Sequence, residues 1–158
     1  MSAQAARFTI VNQCSETVWP AALPGGGMRL DHGQTWHLDV PAGTRSARVW
    51  GRTGCNFDPS GTGRSKCQTG DCNNVRSCSV SGERPTTLAE FTLNGAYNMD
   101  YINLSVIDGF NVPMLFSGCN VALNCLDPSC PDAYQNPSEG GKVHHCPGGT
   151  DYKIVFCP

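Results

Sequence analysis

Two carboxylates, Glu90 and Asp100, could support hydrolytic chemistry in this chain of 158 residues. They lie on two segments that we expect to be neighbouring β-strands, so they could approach each other. A carboxyl pair about 5 to 9 Å apart can act as acid and as nucleophile or base toward a glycosidic bond. Arg52 could instead form an ion pair with one of them, as acidic residues on strands commonly do. The residue types therefore leave open a hydrolytic pair and a structural ion pair.

A polar loop bounded by cysteines offers a second chemistry, the recognition of sugar hydroxyls, because such groups need both donors and acceptors in fixed positions. Its hydrogen-bonding candidates are Gln68, Thr69, Asp71, Asn73 and Asn74. The aromatic residues that could stack on sugar rings are Tyr97, Tyr101, Trp36 and Phe57. The alternative is an ordinary solvated loop.

Ten cysteines are spread over the whole chain, an even number that is typical of proteins from oxidising compartments. Sequence spacing favours three disulfides, which join Cys72 to Cys78, Cys125 to Cys130 and Cys14 to Cys157, and it leaves the other four cysteines unassigned. Metal binding by Cys67, Cys72 and the His144-His145-Cys146 run is a weaker alternative, since zinc sites usually contain C-x2-C pairs. We therefore expect no metal, no other cofactor and no catalytic cysteine.

Short segments in which apolar and polar residues alternate, as at Phe8, Thr9 and Ile10, predict an all-β fold. Residues 55–82 and 117–149 are poor in apolar residues, so we expect disulfides to hold them, with one helical turn near 130–135. We predict one domain over residues 1–158, with a disordered tail at 1–6 whose first residues derive from expression. The predicted strands lie around 7–13, 16–21, 35–40, 46–51, 86–94, 99–107 and 152–156.

The formal net charge of −2 gives no global field that would attract nucleic acid or an anionic bilayer. No apolar run is long enough for a membrane helix. The start of the chain lacks a secretory signal, which we expect to have been removed. These features predict a monomer that neither binds nucleic acid nor inserts into a membrane.

The tripeptide Asn103-Leu104-Ser105 is an N-glycosylation sequon within a predicted strand. A glycan on Asn103 would require that side chain to face solvent. An unused sequon is the alternative.

Several strings, in order along the chain, closely resemble thaumatin-like proteins. The resemblance is strongest to the short, ten-cysteine branch of grasses, whose members include xylanase inhibitors and β-glucan-binding proteins. The strings are VNQCSETVWPA (11–21), WGRTGCNFD (50–58), CQTGDC (67–72), PTTLAEFTL (85–93), DYINLSVIDGFNVPM (100–114), CPDAY (130–134) and IVFCP (154–158).

This resemblance implies a thaumatin-like β-sandwich with disulfide-rich loops and a second domain that is largely deleted. Arg52, Glu90 and Asp100 match three positions of the cleft found in longer members, whereas Asn103 replaces an aspartate and the fifth position belongs to the missing domain. The loop that contains Ser65 and Lys66 is longer than the family pattern. The implied disulfides are Cys14–Cys157, Cys55–Cys67, Cys72–Cys78, Cys119–Cys146 and Cys125–Cys130.

The resemblance implies a non-enzymatic plant defence protein that is secreted to the apoplast. The first expected activity is antifungal, through binding of fungal or cell-wall polysaccharide of the β-1,3-glucan class. The second is inhibition of a microbial endo-xylanase, in which cations meet the carboxylates of the enzyme. A third is weak β-1,3-glucanase activity of Glu90 and Asp100. The candidate inhibitory contacts are Arg29, His32, Arg64 and Lys66.

Overall fold

The protein is described here by a computed structural model that covers residues 5–57 and 66–158, in which two β-sheets pack face to face. The prediction of an all-β fold is confirmed. The strands are β1 (Ala6–Asn12), β2 (Val18–Leu23), β3 (Gly26–Gly27), β4 (Thr35–Val40), β5 (Ala47–Thr53), β6 (Leu88–Thr92), β7 (Met99–Ser105), β8 (Met114–Gly118), β9 (Val121–Cys125), β10 (Ala133–Tyr134), β11 (His144–Pro147) and β12 (Tyr152–Phe156).

The smaller sheet has the strand order β4-β1-β12-β8-β9. Strand β1 shows why these segments form strands, since Phe8 and Ile10 are buried while Arg7 and Thr9 face away from the core. The last strand, β12, lies between β1 and β8 and runs parallel to β1. The two ends of the described chain therefore meet inside one sheet.

The larger sheet has the order β10-β7-β6-β5-β2-β3, and β11 pairs with β7 beside β10. Phe8 of the smaller sheet packs on Phe91 of the larger sheet with ring centroids 4.5 Å apart. Phe116 and Tyr152 complete this aromatic cluster. Such pairs add to the free energy gained from apolar burial, so this cluster helps to hold the two sheets together.

A second, smaller apolar cluster lies on the outer face of the larger sheet, under the segment 66–84. Its members include Ala21, Trp50 and Leu88, which contact the Cys72–Cys78 disulfide. The indole of fully buried Trp50 donates a hydrogen bond to the carbonyl of Gly70 at 2.9 Å. A segment with few apolar residues is thus attached to the sheet by a disulfide and by side chains that project from the sheet.

Five disulfides are present, and they are the pairs that the resemblance implies: Cys14–Cys157, Cys55–Cys67, Cys72–Cys78, Cys119–Cys146 and Cys125–Cys130. Cys14–Cys157 joins residues 143 positions apart, whereas Cys72–Cys78 and Cys125–Cys130 close short loops. Disulfides of this number are typical of extracellular proteins.

Three local predictions differ from the structure. No helical turn forms at 130–135, where Ala133 and Tyr134 form β10 beside β7. The tail is shorter than predicted, because Ala6 is buried in β1, and residues 1–4 lie outside the described residues. Residues 117–149 were predicted to be held by disulfides, but they also contribute to β8, β9, β10 and β11.

No described helix is long and apolar enough to cross a membrane.

Candidate binding groove

A groove of about 430 Å³ lies on the part of the outer face of the larger sheet that segment 66–84 leaves uncovered. Its floor is a row of cross-strand partners, Arg48 on β5, Glu90 on β6 and Asn103 on β7. The side-chain amide of Asn103 donates a hydrogen bond to Glu90 at 2.9 Å. The lining residues are Ser46, Ala47, Arg48, Glu90, Phe91, Thr92, Tyr101, Asn103 and Val143.

Strand alternation places these polar groups together. Phe91 and Ile102 point into the core, so Glu90 and Asn103, one position away, must point outward. Arg48 follows the same rule, between buried Ala47 and Val49. The predicted strand at 46–51 already carried this signal, yet the sequence-based candidates did not include Arg48.

Tyr101 stands on the same face and presents a fixed aromatic ring to the groove. Its hydroxyl donates a hydrogen bond to the carbonyl of Ala96 at 3.0 Å. Its ring lies 6.5 Å from that of His145, the cross-strand neighbour on β11. Of the sequence-based candidates, Glu90, Tyr101 and the sequon residue Asn103 thus come together.

The predicted carboxyl pair is wrong, because Glu90 and Asp100 point to opposite faces of the sheet. Asp100 is 1 % exposed and accepts hydrogen bonds from the amide of Asn94 at 2.8 Å and from the hydroxyl of Tyr152 at 2.7 Å. Burial, followed by the hydrogen bond to the Asp100 carboxylate, raises the pKa of the Tyr152 phenol. Asp100 therefore connects the two sheets and cannot reach a ligand in the groove.

Arg52 is also unavailable to a ligand, contrary to its prediction as a binding residue. Its side chain is fully buried, and its donors contact the carbonyls of Trp19, Pro20, Val75 and Arg76 and the sulfur of Cys72. Burial lowers the pKa of Arg52 to about 10, and Asp71 acts in the opposite direction. The guanidinium attaches the loop 72–78 to the sheet.

The other loop candidates are separate from the groove. Asp71 is buried and accepts hydrogen bonds from the amides of Cys67 and Asn74, both at 3.0 Å. The hydroxyl of Thr69 is engaged by Thr53 and Asn111. Exposed Gln68 lines a different depression beside Trp19. Asp71 therefore stabilises the loop itself, and Thr69 connects the loop to Thr53 and Asn111.

Three further aromatic candidates differ in exposure. Tyr97 is 94 % exposed on the turn before β7 and does not line the groove. Trp36 is buried in the core, and Phe57 packs on the guanidinium of Arg52 at 5.4 Å. Stacking by Trp36 is therefore excluded by its burial.

The inhibitory-contact candidates occupy other surfaces. Arg29 lies 5.7 Å from the Trp19 ring and pairs with Asp31 at 3.1 Å, whose pKa is lowered by hydrogen bonds from Thr17 and Arg29. His32 contacts the carbonyl of Cys14 at 2.9 Å. Lys66 is exposed and lies 3.9 Å from Glu83. Arg64 lies outside the described residues.

A metal site and a catalytic cysteine have no support within residues 5–57 and 66–158. No group of three or more His, Cys, Asp or Glu side chains is arranged there to hold a metal ion, and all cysteines are paired.

A glycan on Asn103 would occupy the groove, because that amide lies within its lining.

Comparisons with known proteins agree with this architecture. The Thaumatin family model matches residues 12–128. A thaumatin-like protein of Oryza sativa subsp. japonica is 57% identical over 158 residues, which cover 99% of this chain and 87% of that protein. Thaumatin-like pathogenesis-related protein 4 of Avena sativa is 55% identical over 160 residues, covering 99% and 90%.

Among solved structures, the thaumatin-like xylanase inhibitor TLXI matches with a TM-score of 0.77 and 36% identity, over 96% of this chain and 99% of that one. Both the sequence and the fold are therefore shared over nearly the full length. The chain belongs to the thaumatin family and is a relative of plant pathogenesis-related proteins.

Proposed function

We propose that this pathogenesis-related protein binds polysaccharide of the β-1,3-glucan class in the groove formed by Arg48, Glu90, Tyr101 and Asn103. The observation that carries the proposal is the row of three polar side chains beside one aromatic ring. In this role the protein acts against fungi as a secreted monomer of the apoplast, and its five disulfides suit that compartment.

The chemistry of the row suits sugar hydroxyls, each of which donates and accepts hydrogen bonds. Arg48 supplies donors only, Glu90 supplies acceptors, and Asn103 supplies both. The bond between Asn103 and Glu90 holds these two side chains in place before a ligand arrives. Fewer rotamers are lost on binding when the groups are already fixed, which favours affinity.

The same groove does not favour hydrolysis, so we propose a binding protein without enzymatic activity. Glycoside hydrolysis in its usual form needs two carboxyl groups on either side of the scissile bond. Among the described residues, Glu90 is the only carboxylate in the lining of the groove, and Asp100 lies on the other face of the sheet. Purified protein should release no reducing sugar from a soluble β-1,3-glucan.

A substitution at Tyr101 tests the binding proposal. Tyr101→Ala removes the ring and should weaken binding to insoluble β-1,3-glucan about tenfold, whereas Tyr101→Phe keeps the ring and should bind nearly as well as the wild type. Binding is measured by co-sedimentation and by calorimetry with a soluble glucan. Wild-type protein that stays in the supernatant, with all ten cysteines oxidised, would refute the proposal.

Inhibition of a microbial endo-xylanase is a second candidate, favoured by the full-length similarity to the xylanase inhibitor TLXI. Exposed cations on the loops, Arg29 and Lys66 among them, could meet the acidic cleft of such an enzyme. Arg29 has a matched control in Arg7, since each is exposed and each pairs with one aspartate.

The test of this second candidate measures inhibition of xylanases from both major folds. If the loops carry the activity, Arg29→Ala should raise the inhibition constant several-fold and Arg7→Ala should not. Xylanase activity that stays unchanged at micromolar protein would remove the candidate and leave the glucan proposal intact.

A further inference from the structure

The groove does not end at Tyr101. A second depression of about 350 Å³ adjoins it and shares Ser46, Thr92 and Tyr101 with it. The residues that line only the second depression are Arg45, Gly95 and Ala96. The two depressions are therefore continuous along the outer face of the larger sheet.

The strand register gives the length of this continuous surface. The row Arg48, Glu90 and Asn103 is followed two residues along the strands by the row Ser46, Thr92 and Tyr101. Two residues of a strand span about 7 Å. Gly95 and Ala96 lie beyond the second row, so the surface extends over about 14 Å, which exceeds the length of one pyranose ring.

The second depression is also fixed in shape. The hydroxyl of Thr92 accepts a hydrogen bond from the amide of Ser46 at 3.0 Å, and Tyr101 is bonded to Ala96. At the other end of the surface, Leu88 is buried under segment 66–84. The surface is therefore bounded near Leu88 and continues in the direction of Arg45.

Each depression is lined by one arginine, Arg48 in the first and Arg45 in the second. Neither Arg45 nor Arg48 takes part in an ion pair within the part of the chain that the structure describes. A guanidinium offers several donors, which suit the hydroxyl and ring oxygens of a sugar. Arg48 lies on β5, and Arg45 lies three residues earlier, just before that strand begins.

We infer that the two depressions form one extended site, which binds a linear oligosaccharide along the strands and recognises its distal units through Arg45. This inference rests on the proposed glucan binding and deepens it, because it assigns the ligand class as chains longer than a disaccharide. Tyr101, shared by both depressions, lies under the middle of such a chain.

Calorimetry with linear β-1,3-glucan oligosaccharides of two and six units tests the inference. The six-unit chain should bind at least about tenfold more tightly than the two-unit chain. Arg45→Ala should lower the affinity for the six-unit chain about fivefold and leave the two-unit chain unchanged. Lys153→Ala removes an equal charge from the opposite sheet and should alter neither affinity.

The possible failures are distinguishable. Equal affinity for both lengths, or no effect of Arg45→Ala on the six-unit chain, would overturn the extended site while groove binding stood. No binding of either oligosaccharide or of the polymer would overturn the proposed function itself. Arg45 is exposed and forms no ion pair among the described residues, so the variant should fold.

Discussion

Arg52 is an interior arginine whose donors are saturated by four backbone carbonyls and a cysteine sulfur. Its pKa of about 10 is still high enough to keep it charged at neutral pH. The carboxylate of Asp71, which directly precedes the loop 72–78, supplies compensating negative charge. The residue thus connects strand β2 to the loop 72–78 through geometry that only a planar, forked side chain can reach.

Replacement of Arg52 by lysine should destabilise the fold. Lysine has three donors on a single atom, so several buried carbonyls would lose their partners, and we expect the free energy of unfolding to fall by about 2 to 4 kcal/mol. Urea unfolding followed by tryptophan fluorescence measures the change. Exposed Arg45→Lys is the control and should stay within about 0.5 kcal/mol of the wild type; equal losses in both variants would contradict this role of Arg52.

At the scale of elements, the loop 72–78 lies directly on the short strand β3. A Cβ atom added to Gly27 would collide with the carbonyl of Arg76 and would come within 2.5 Å of the Arg52 guanidinium. The backbone of β3 and the loop can therefore approach each other only because residue 27 has no side chain.

Gly27→Ala should lift this loop from the sheet. Overpacking of this kind typically lowers the free energy of unfolding by about 1 to 3 kcal/mol, and amide exchange should accelerate at residues 75–77. Gly140→Ala is the matched control, because a Cβ there meets no atom within 4 Å. Unchanged exchange in the Gly27 variant would show that the loop is held without this contact.

The alternation of apolar and polar residues predicted individual strands well, but it could not predict the register between neighbouring strands. Strands 35–40 and 152–156 were predicted with their observed bounds, and a turn precedes each of them. Whether Glu90 and Asp100 lie on the same face of the sheet depends on the turn between β6 and β7. In that turn Asn94, Tyr97 and Asn98 have positive φ. Such turns set the register of the strands, and a shift of the register by one residue moves every side chain to the other face of the sheet.

The same limit applies to the candidate site. Glu90 and Tyr101 could be chosen because polar and aromatic residue types suit sugars, and both line the groove. Burial of Arg52 and Asp71 could not be foreseen, because segment 66–84 contains little apolar sequence to suggest that it covers the sheet. Strands β3, β8, β9, β10 and β11 were also missed; β3 and β10 are only two residues long, and β11 contains a cysteine and a proline.

At the scale of the whole molecule, the two sheets are joined by a polar contact as well as by the aromatic cluster. The hydroxyl of Tyr152 on β12 donates to the carboxylate of Asp100 on β7, and both side chains are buried. The pKa of the phenol is raised in the folded state. A raised folded pKa means that this contribution to stability is complete below pH 10 and is lost as the pH rises further.

Tyr152→Phe should therefore reduce the free energy of unfolding by about 1 to 3 kcal/mol at neutral pH, because Asp100 loses a buried donor. In an alkaline titration monitored by phenolate absorbance, the wild type should show one tyrosine that ionises only when the protein unfolds. That late component should be missing from the variant. Its persistence in Tyr152→Phe would assign the contact to another residue.

The central place of β12 between β1 and β8 has a consequence for biosynthesis. A nascent chain can form the hairpins of the larger sheet while it is still attached to the ribosome, but the smaller sheet lacks its middle strand until Phe156 has emerged. Polypeptides cut short before that point would expose the unpaired edges of β1 and β8. Such products would also be unable to form the Cys14–Cys157 bond, so we expect them to associate through these edges instead of folding.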